Sequence, residues 1–255
     1  MLTHPLTICR IIGNELPPRD LPGSKLQSLE FICRNAEKTD IFWVLNRLID
    51  TQYRMEALRI LDSYGQTWME IPFLTSEYLA CITKQQKLHY ITNINKARNF
   101  GIRQGCMRAS YTACLDQDCF FTPALLKEVL TRLGSEAHYA LQMKRVLPTT
   151  IEMHQEIPNE EPQLIFGQSP LLFDEDVPFG SDDKISLLKQ LGCRGRSHNY
   201  RFATGTCETV GTVLHLSFSN PRFETNIHER FKSRKEALQL IVDKADLHYC
   251  KTNLS

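Results

Sequence analysis

Residues 41–45, Ile41-Phe42-Trp43-Val44-Leu45, form a run without a polar residue, closed by Asn46. In a strand, successive side chains point to opposite faces, so a strand apolar at every position must be covered on both faces. Helices above and below a parallel sheet supply that cover. The neighbouring segments fit. Residues 6–12 read as a strand, and Gly13-Asn14-Glu15-Leu16-Pro17-Pro18-Arg19 breaks it into a loop. Residues 24–34 have helical periodicity through Leu26, Leu29, Phe31 and Ile32, and residues 51–64 do so through Ala57, Leu58, Ile60, Leu61 and Tyr64. Residues 67–71 make a third short strand. Strand, helix, strand, helix in this order is the signature of an α/β fold with a parallel sheet.

Farther along, a helix over 93–104 precedes a strand ending at Asp116, residues 123–133 resume helix and 139–146 resume strand. Beyond residue 147 the texture turns to an acidic loop punctuated by Pro148, Pro158, Pro162, Pro170 and Pro178. A bounded helix follows over 182–192, with Ser181 as N-cap and Gly192 as its stop. Residues 208–217 read as a last strand holding His215, and 230–246 as a charged amphipathic helix. At 255 residues, one domain over 1–255 is expected.

Lysines and arginines number 30 against 29 acidic residues, a net charge of +1, which gives no support for a protein whose main task is binding nucleic acid. No apolar run approaches the roughly 20 residues that span a bilayer, so no transmembrane segment is expected. Nine cysteines are scattered without a CxxC pair or zinc spacing, and several sit inside apolar runs. They read as buried reduced thiols, which makes a cytoplasmic location, peripheral to a membrane at most, the default.

Ligands of parallel α/β sheets gather at the carboxyl ends of strands. Gly13 and Asn14 follow the first strand, Asn46 and Arg47 the second, and Asp116-Gln117-Asp118 the strand after the 93–104 helix. Two carboxylates flanking one residue at a strand end suit a divalent cation whose remaining shell stays open to phosphates. Arg98, upstream in Asn95-Lys96-Ala97-Arg98-Asn99, offers a guanidinium fork to the same phosphates. Plainer readings stand beside these. Asp116 and Asp118 can be an acidic turn, Arg98 a surface ion pair, Asn46 and Arg47 a turn and a salt bridge, and His215 a core histidine. Asp182 and Asp183 can be first-turn acids that favour a helix dipole.

Five segments in one order resemble a family of small GT-A glycosyltransferase-like proteins, nucleotide-diphospho-sugar transferases of the DxD type. They are Arg10-Ile11-Ile12-Gly13-Asn14-Glu15-Leu16-Pro17-Pro18-Arg19, Trp43-Val44-Leu45-Asn46-Arg47, Asn95-Lys96-Ala97-Arg98-Asn99, Asp116-Gln117-Asp118 and Pro178-Phe179-Gly180-Ser181-Asp182-Asp183-Lys184. The resemblance implies a GT-A fold with a mostly parallel, Rossmann-like sheet flanked by helices. It implies a nucleotide-sugar-binding half over 1–146 and an acceptor-binding half over 147–255.

It further implies that Gly13 and Asn14 approach the nucleoside, with Asn46, Arg47, Asn95 and Asp116 completing the donor site. Arg98 meets the diphosphate or donor sugar, and Asp116, Asp118 and His215 hold Mn2+ or Mg2+. Asp183 would be the catalytic base and Asp182 would position the acceptor, although the more usual pair is Glu-Asp and Lys184 next door could neutralise it. The implied activity is metal-dependent transfer of a sugar from a nucleoside diphosphate sugar, uridine-linked, to a hydroxyl acceptor, inversion being favoured. Two alternatives remain: a catalytically silent carbohydrate-binding or scaffolding relative, and a nucleotidyltransferase. The latter generally carries a Gly-rich basic loop after its first strand, which Gly13-Asn14-Glu15-Leu16 lacks.

Overall fold

The computed structural model describes residues 4–35, 39–146, 161–179, 184–193, 195–197, 200–202, 207–216 and 227–249. The chain opens as β1 (His4–Ile12), α1 (Ser24–Arg34), β2 (Asp40–Asn46), α2 (Thr51–Ser63) and β3 (Thr67–Ile71). Two short helices, α3 (Thr75–Ala80) and α4 (Lys84–Thr92), lead to α5 (Ile94–Cys106), β4 (Ala109–Asp116), β5 (Cys119–Phe120) and α6 (Pro123–Arg132). Then come β6 (His138–Val146), β7 (Gln163–Phe166), α7 (Ile185–Gln190), β8 (Gly195–Ser197), β9 (Tyr200–Phe202), β10 (Thr209–Leu216) and α8 (Ile227–Tyr249).

Eight strands form one sheet in the order β3-β2-β1-β4-β7-β6-β10-β5, and β8 pairs with β9 separately. The pairings of β1 with β2 and β4, of β2 with β3 and of β10 with β6 are parallel. β7 runs antiparallel to both β4 and β6, so those two share one direction across it, and β5 lies antiparallel on β10. The α/β class with a mostly parallel sheet and flanking helices is therefore the observed one. The carboxyl ends of β1, β2, β4 and β10 all open on the same edge.

The apolar run of β2 is explained by its two faces. Ile41, Trp43 and Leu45 pack with Leu29 and Ile32 of α1, Ala57, Ile60 and Leu61 of α2 and Leu126 and Val129 of α6. Phe42 and Val44 turn to the other face, where Cys9 and Ile11 of β1 meet Ala97 of α5. α5 lies unusually close to the sheet: a Cβ at Gly101 would overlap Cys9 Sγ, and one at Gly105 would overlap the Thr112 side chain. Only hydrogen at these two positions, one turn apart, lets the helix settle onto β1 and β4.

Several boundaries differ from expectation. α7 begins at Ile185 rather than 182 and stops before Gly192 (φ 63), while Ser181, Asp182 and Asp183 lie outside the described residues. β10 spans Thr209–Leu216, and α8 extends the expected 230–246 helix at both ends. α3 and α4 were not anticipated: Tyr78 and Ile91 are their only buried residues, so they lack a strong apolar stripe. α4 did carry a local start signal, the Thr83/Gln86 capping box. Among the described residues no helix is long and apolar enough to cross a membrane.

Candidate functional site

β4 delivers Asp116 to the open edge, and a two-residue turn then reverses the chain into β5. Three interactions hold that turn. The buried Arg10 of β1 donates from Nε to the Cys119 carbonyl at 2.8 Å, Gln117 Nε2 donates to the Lys25 carbonyl at 2.8 Å, and Leu216 N donates to the Asp118 carbonyl at 2.8 Å. β5 lies opposite β10 with Cys119 facing His215 in register. As a result His215 Nε2 comes within 3.1 Å of Asp118 Oδ2. Burial pushes the Asp118 carboxyl up, but the His215 ring outweighs it and the net shift is downward.

Asp116 faces a different set of partners. Its Oδ1 accepts from Arg98 Nη2 at 3.1 Å, and its Oδ2 accepts from Lys184 Nζ at 2.7 Å and Gln163 Nε2 at 2.9 Å. Burial would raise this carboxyl, yet the Lys184 and Arg98 charges hold it well below the usual carboxylate range. About a third of its side chain stays open, 35%, so it faces the edge rather than the core. Lys184, which the sequence paired with the neighbouring acids, reaches instead to Asp116 and to Glu161 Oε1 at 3.3 Å.

Arg98 projects from α5, whose N-cap residue Asn93 accepts from Lys96 N through Oδ1 at 2.9 Å. Arg98 Nη1 donates to Asn95 Oδ1 at 2.9 Å, and its guanidinium stacks on Phe173 at 5.2 Å. Asparagines 93, 95 and 99 also bind the carbonyls of Glu175, Asp174 and Phe173, each at 2.8–2.9 Å, so one segment is laced to α5 beside the arginine. Asn95 is 1% exposed with its amide engaged, which makes it an orienting partner of Arg98.

Asn14 ties the loops after β1 and β2 together: Nδ2 donates to the Arg47 carbonyl at 2.9 Å and Oδ1 accepts from Ile49 N at 2.9 Å. Arg47 takes a positive φ of 46, stacks on Tyr90 at 4.6 Å and donates from Nη1 to Asn46 Oδ1 at 3.4 Å. Asn46 Nδ2 donates to the Asn93 carbonyl at 3.2 Å, joining the end of β2 to the start of α5. Gly13 opens onto space, with nothing within 4 Å of where a Cβ would sit. The rest of that loop wraps on itself, Glu15 accepting from Gly23 N at 2.9 Å and Lys25 N at 3.3 Å.

Gly13, Asn14, Asn46, Arg47, Asn95, Arg98, Asp116, Asp118 and His215 thus share the carboxyl edge; Asp182 and Asp183 fall outside the described residues. The expected three-ligand metal set does not gather as one cluster: among the described residues no group of three His, Cys, Asp or Glu side chains could hold a metal ion. Asp118 and His215 form a pair, while Asp116 is turned to cations. Sequence reading missed Gln163, Glu161 and Lys184. Gln163 left one signal, a polar residue opening the apolar piece Leu164-Ile165-Phe166. The eight described cysteines are free thiols, and burial pushes Cys33 up to about 12.

No family model matches the chain, and no curated protein sequence matches it. Among solved structures it is similar to S. aureus TarS, at 9% identity and a TM-score of 0.43, over 70% of this chain and 32% of that one. It is similar to the mannosyltransferase PcManGT from Pyrobaculum calidifontis in complex with GDP-Man and Mn2+, at 14% identity and a TM-score of 0.45, over 98% and 74% of the two chains. A third is glucosyl-3-phosphoglycerate synthase from Mycobacterium tuberculosis in complex with Mg2+ and UDP, at 11% identity and a TM-score of 0.36, over 98% and 80%.

Proposed function

We propose that this chain is a GT-A-type glycosyltransferase that moves a sugar from a nucleoside diphosphate sugar, uridine-linked, to a hydroxyl acceptor. One observation carries the reading: the Asp118–His215 pair lies on the same sheet edge as two cations, Arg98 and Lys184, that converge on Asp116. The first pair suits a divalent ion, the second suits phosphate oxygens, and a metal diphosphate needs both side by side.

The donor set fits such an ion. Asp118 and His215 offer one oxygen and one nitrogen and leave most of a shell to phosphate and water, and the imidazole favours Mn2+ over Mg2+. When bound, the ion offsets negative charge growing on the departing diphosphate. Asp116 belongs to the site as the carboxylate that aims Arg98, with Asn95 fixing the other guanidinium nitrogen. Gly13 leaves room for the nucleoside, while Asn14 fixes the loop carrying Arg47 and Asn46 as the site's wall.

Asp183 is assigned as the base that takes the acceptor's hydroxyl proton, and Asp182 as the residue that positions the acceptor. The sequence supports this through their place directly before Lys184, which is anchored at Asp116. A base on the acceptor side favours inversion. The self-wrapped loop after β1 speaks against a nucleotidyltransferase, because its Glu15 carboxylate already takes backbone N–H groups that a triphosphate would need.

The test is turnover. The chain is incubated with UDP- and GDP-linked sugars and Mn2+, and nucleoside diphosphate release is followed for it and for Arg98→Ala and Asp183→Asn. Release from one donor series, lost in both variants, supports the assignment. Binding without release points to a silent carbohydrate-binding relative, and neither binding nor release sinks the reading.

A further inference from the structure

Lys184 is the least expected member of the site. Its side chain is 7% exposed, and its ammonium bridges two carboxylates, Asp116 at 2.7 Å and Glu161 at 3.3 Å. A carboxylate has about four lone-pair positions. At Asp116 three are taken, by Arg98, Lys184 and Gln163, and the two on Oδ2 are both filled. Among the described residues, Arg98 and Lys184 both face Asp116, and Lys184 faces Glu161 as well. A divalent ion bound at Asp116 would sit against an ammonium that already holds the same carboxylate, and like charges at such separations repel strongly.

We propose that Lys184 is the resident cation of the donor site. Its ammonium takes at Asp116 the place that a divalent ion would share, so that the chain holds its metal through Asp118 and His215 rather than through Asp116. The donor's diphosphate is then met by Lys184 and Arg98 as well as by the ion. Lys184 also precedes α7 directly, so the same contact ties the start of that helix to β4. The diphosphate half of this inference rests on the glycosyltransferase reading, whereas the metal half does not and is tested without nucleotide.

The experiment is a Mn2+ titration of the full chain, read by the electron paramagnetic resonance signal of the free ion. Lys184→Met removes the ammonium and keeps the length of the side chain. It is expected to bind Mn2+ about tenfold tighter than the unsubstituted chain, because a repulsion is gone and Asp116 becomes available beside Asp118. Lys184→Arg keeps the charge and is expected to stay closer to the unsubstituted chain than Lys184→Met does. Asp116→Asn is expected to lose much less Mn2+ affinity than Asp118→Asn, because it removes a neighbouring charge but no ligand.

Unchanged or weaker Mn2+ binding by a folded Lys184→Met chain overturns the inference, as does the absence of Mn2+ binding in every variant. If Lys184→Met does not fold, Asp116→Asn decides: a loss as large as that of Asp118→Asn would make Asp116 a ligand and overturn it. A second titration, UDP in the presence of EDTA, reads the diphosphate half, where Lys184→Met is expected to bind about tenfold weaker. Absence of UDP binding by the unsubstituted chain, with the Mn2+ results intact, removes the donor reading and leaves the metal assignment standing.

Discussion

His215 Nε2 lies 3.1 Å from Asp118 Oδ2 because β5 folds back antiparallel onto β10 and sets Cys119 opposite His215. The late strand β10 is therefore brought beside the turn that follows β4. Replacing His215 with Gln is expected to weaken Mn2+ on the order of tenfold and Mg2+ less, since imidazole is the softer ligand. Calorimetric titration of the two ions checks this. Unchanged affinity for both would show that the imidazole is no ligand.

Arg98 is held at two nitrogens, by Asn95 Oδ1 at 2.9 Å and Asp116 Oδ1 at 3.1 Å. An ammonium cannot reproduce that fork. Arg98→Lys is accordingly expected to lose about tenfold or more in nucleoside diphosphate affinity, despite keeping the charge. Affinity for UDP close to that of the unsubstituted chain would mean that Arg98 serves the fold alone.

Two glycines separate packing from access. Gly101→Ala is expected to cost about 1–3 kcal/mol, because the new methyl meets Cys9 Sγ in a closed core. Gly13→Ala meets open space and should leave stability within about 0.5 kcal/mol while weakening nucleotide binding. Chemical denaturation measures the first and ligand titration the second. Equal stability of both variants would contradict the close seating of α5.

Asp40 accepts from Thr7 Oγ1 at 2.6 Å and from Arg108 Nε and Nη2 at 3.0 and 2.9 Å. Burial pushes its carboxyl up, but the Arg108 and Thr7 bonds prevail and the folded value is lowered. The stabilisation is therefore fully present above the unfolded value of about 3.9 and is lost as pH falls through the depressed folded one. Asp40→Asn is expected to cost about 1–3 kcal/mol at neutral pH, with the gap closing below about pH 4. Urea denaturation at pH 7 and pH 3 checks it. A gap that does not narrow on acidification would refute the linkage.

β2 and α1 are legible in the sequence because one carries an unbroken apolar run and the other a clear stripe ending at Arg34. The edge where Gly13, Asn46 and Asp116 meet follows from parallel topology alone. What could not be read is long-range and polar. β7 inserts antiparallel between β4 and β6, and no local pattern distinguishes a parallel from an antiparallel strand of four buried residues. Gln163 and Lys184 reach Asp116 only through that insertion and through α7. In the sequence Lys184 reads as the neighbour that could neutralise Asp182 and Asp183; its ammonium bonds Asp116 at the end of β4.

The most direct test of the donor site is thermal unfolding with nucleoside diphosphates and their sugars, with and without Mn2+, for the unsubstituted chain and Asp118→Ala. A ligand that binds only the folded state stabilises it by about 2.7 kcal/mol at about 100 times its dissociation constant. Stabilisation of that order by one nucleotide series is expected, dependent on Mn2+ and absent in Asp118→Ala. A folded chain that responds to no nucleoside diphosphate, with or without the ion, would contradict it.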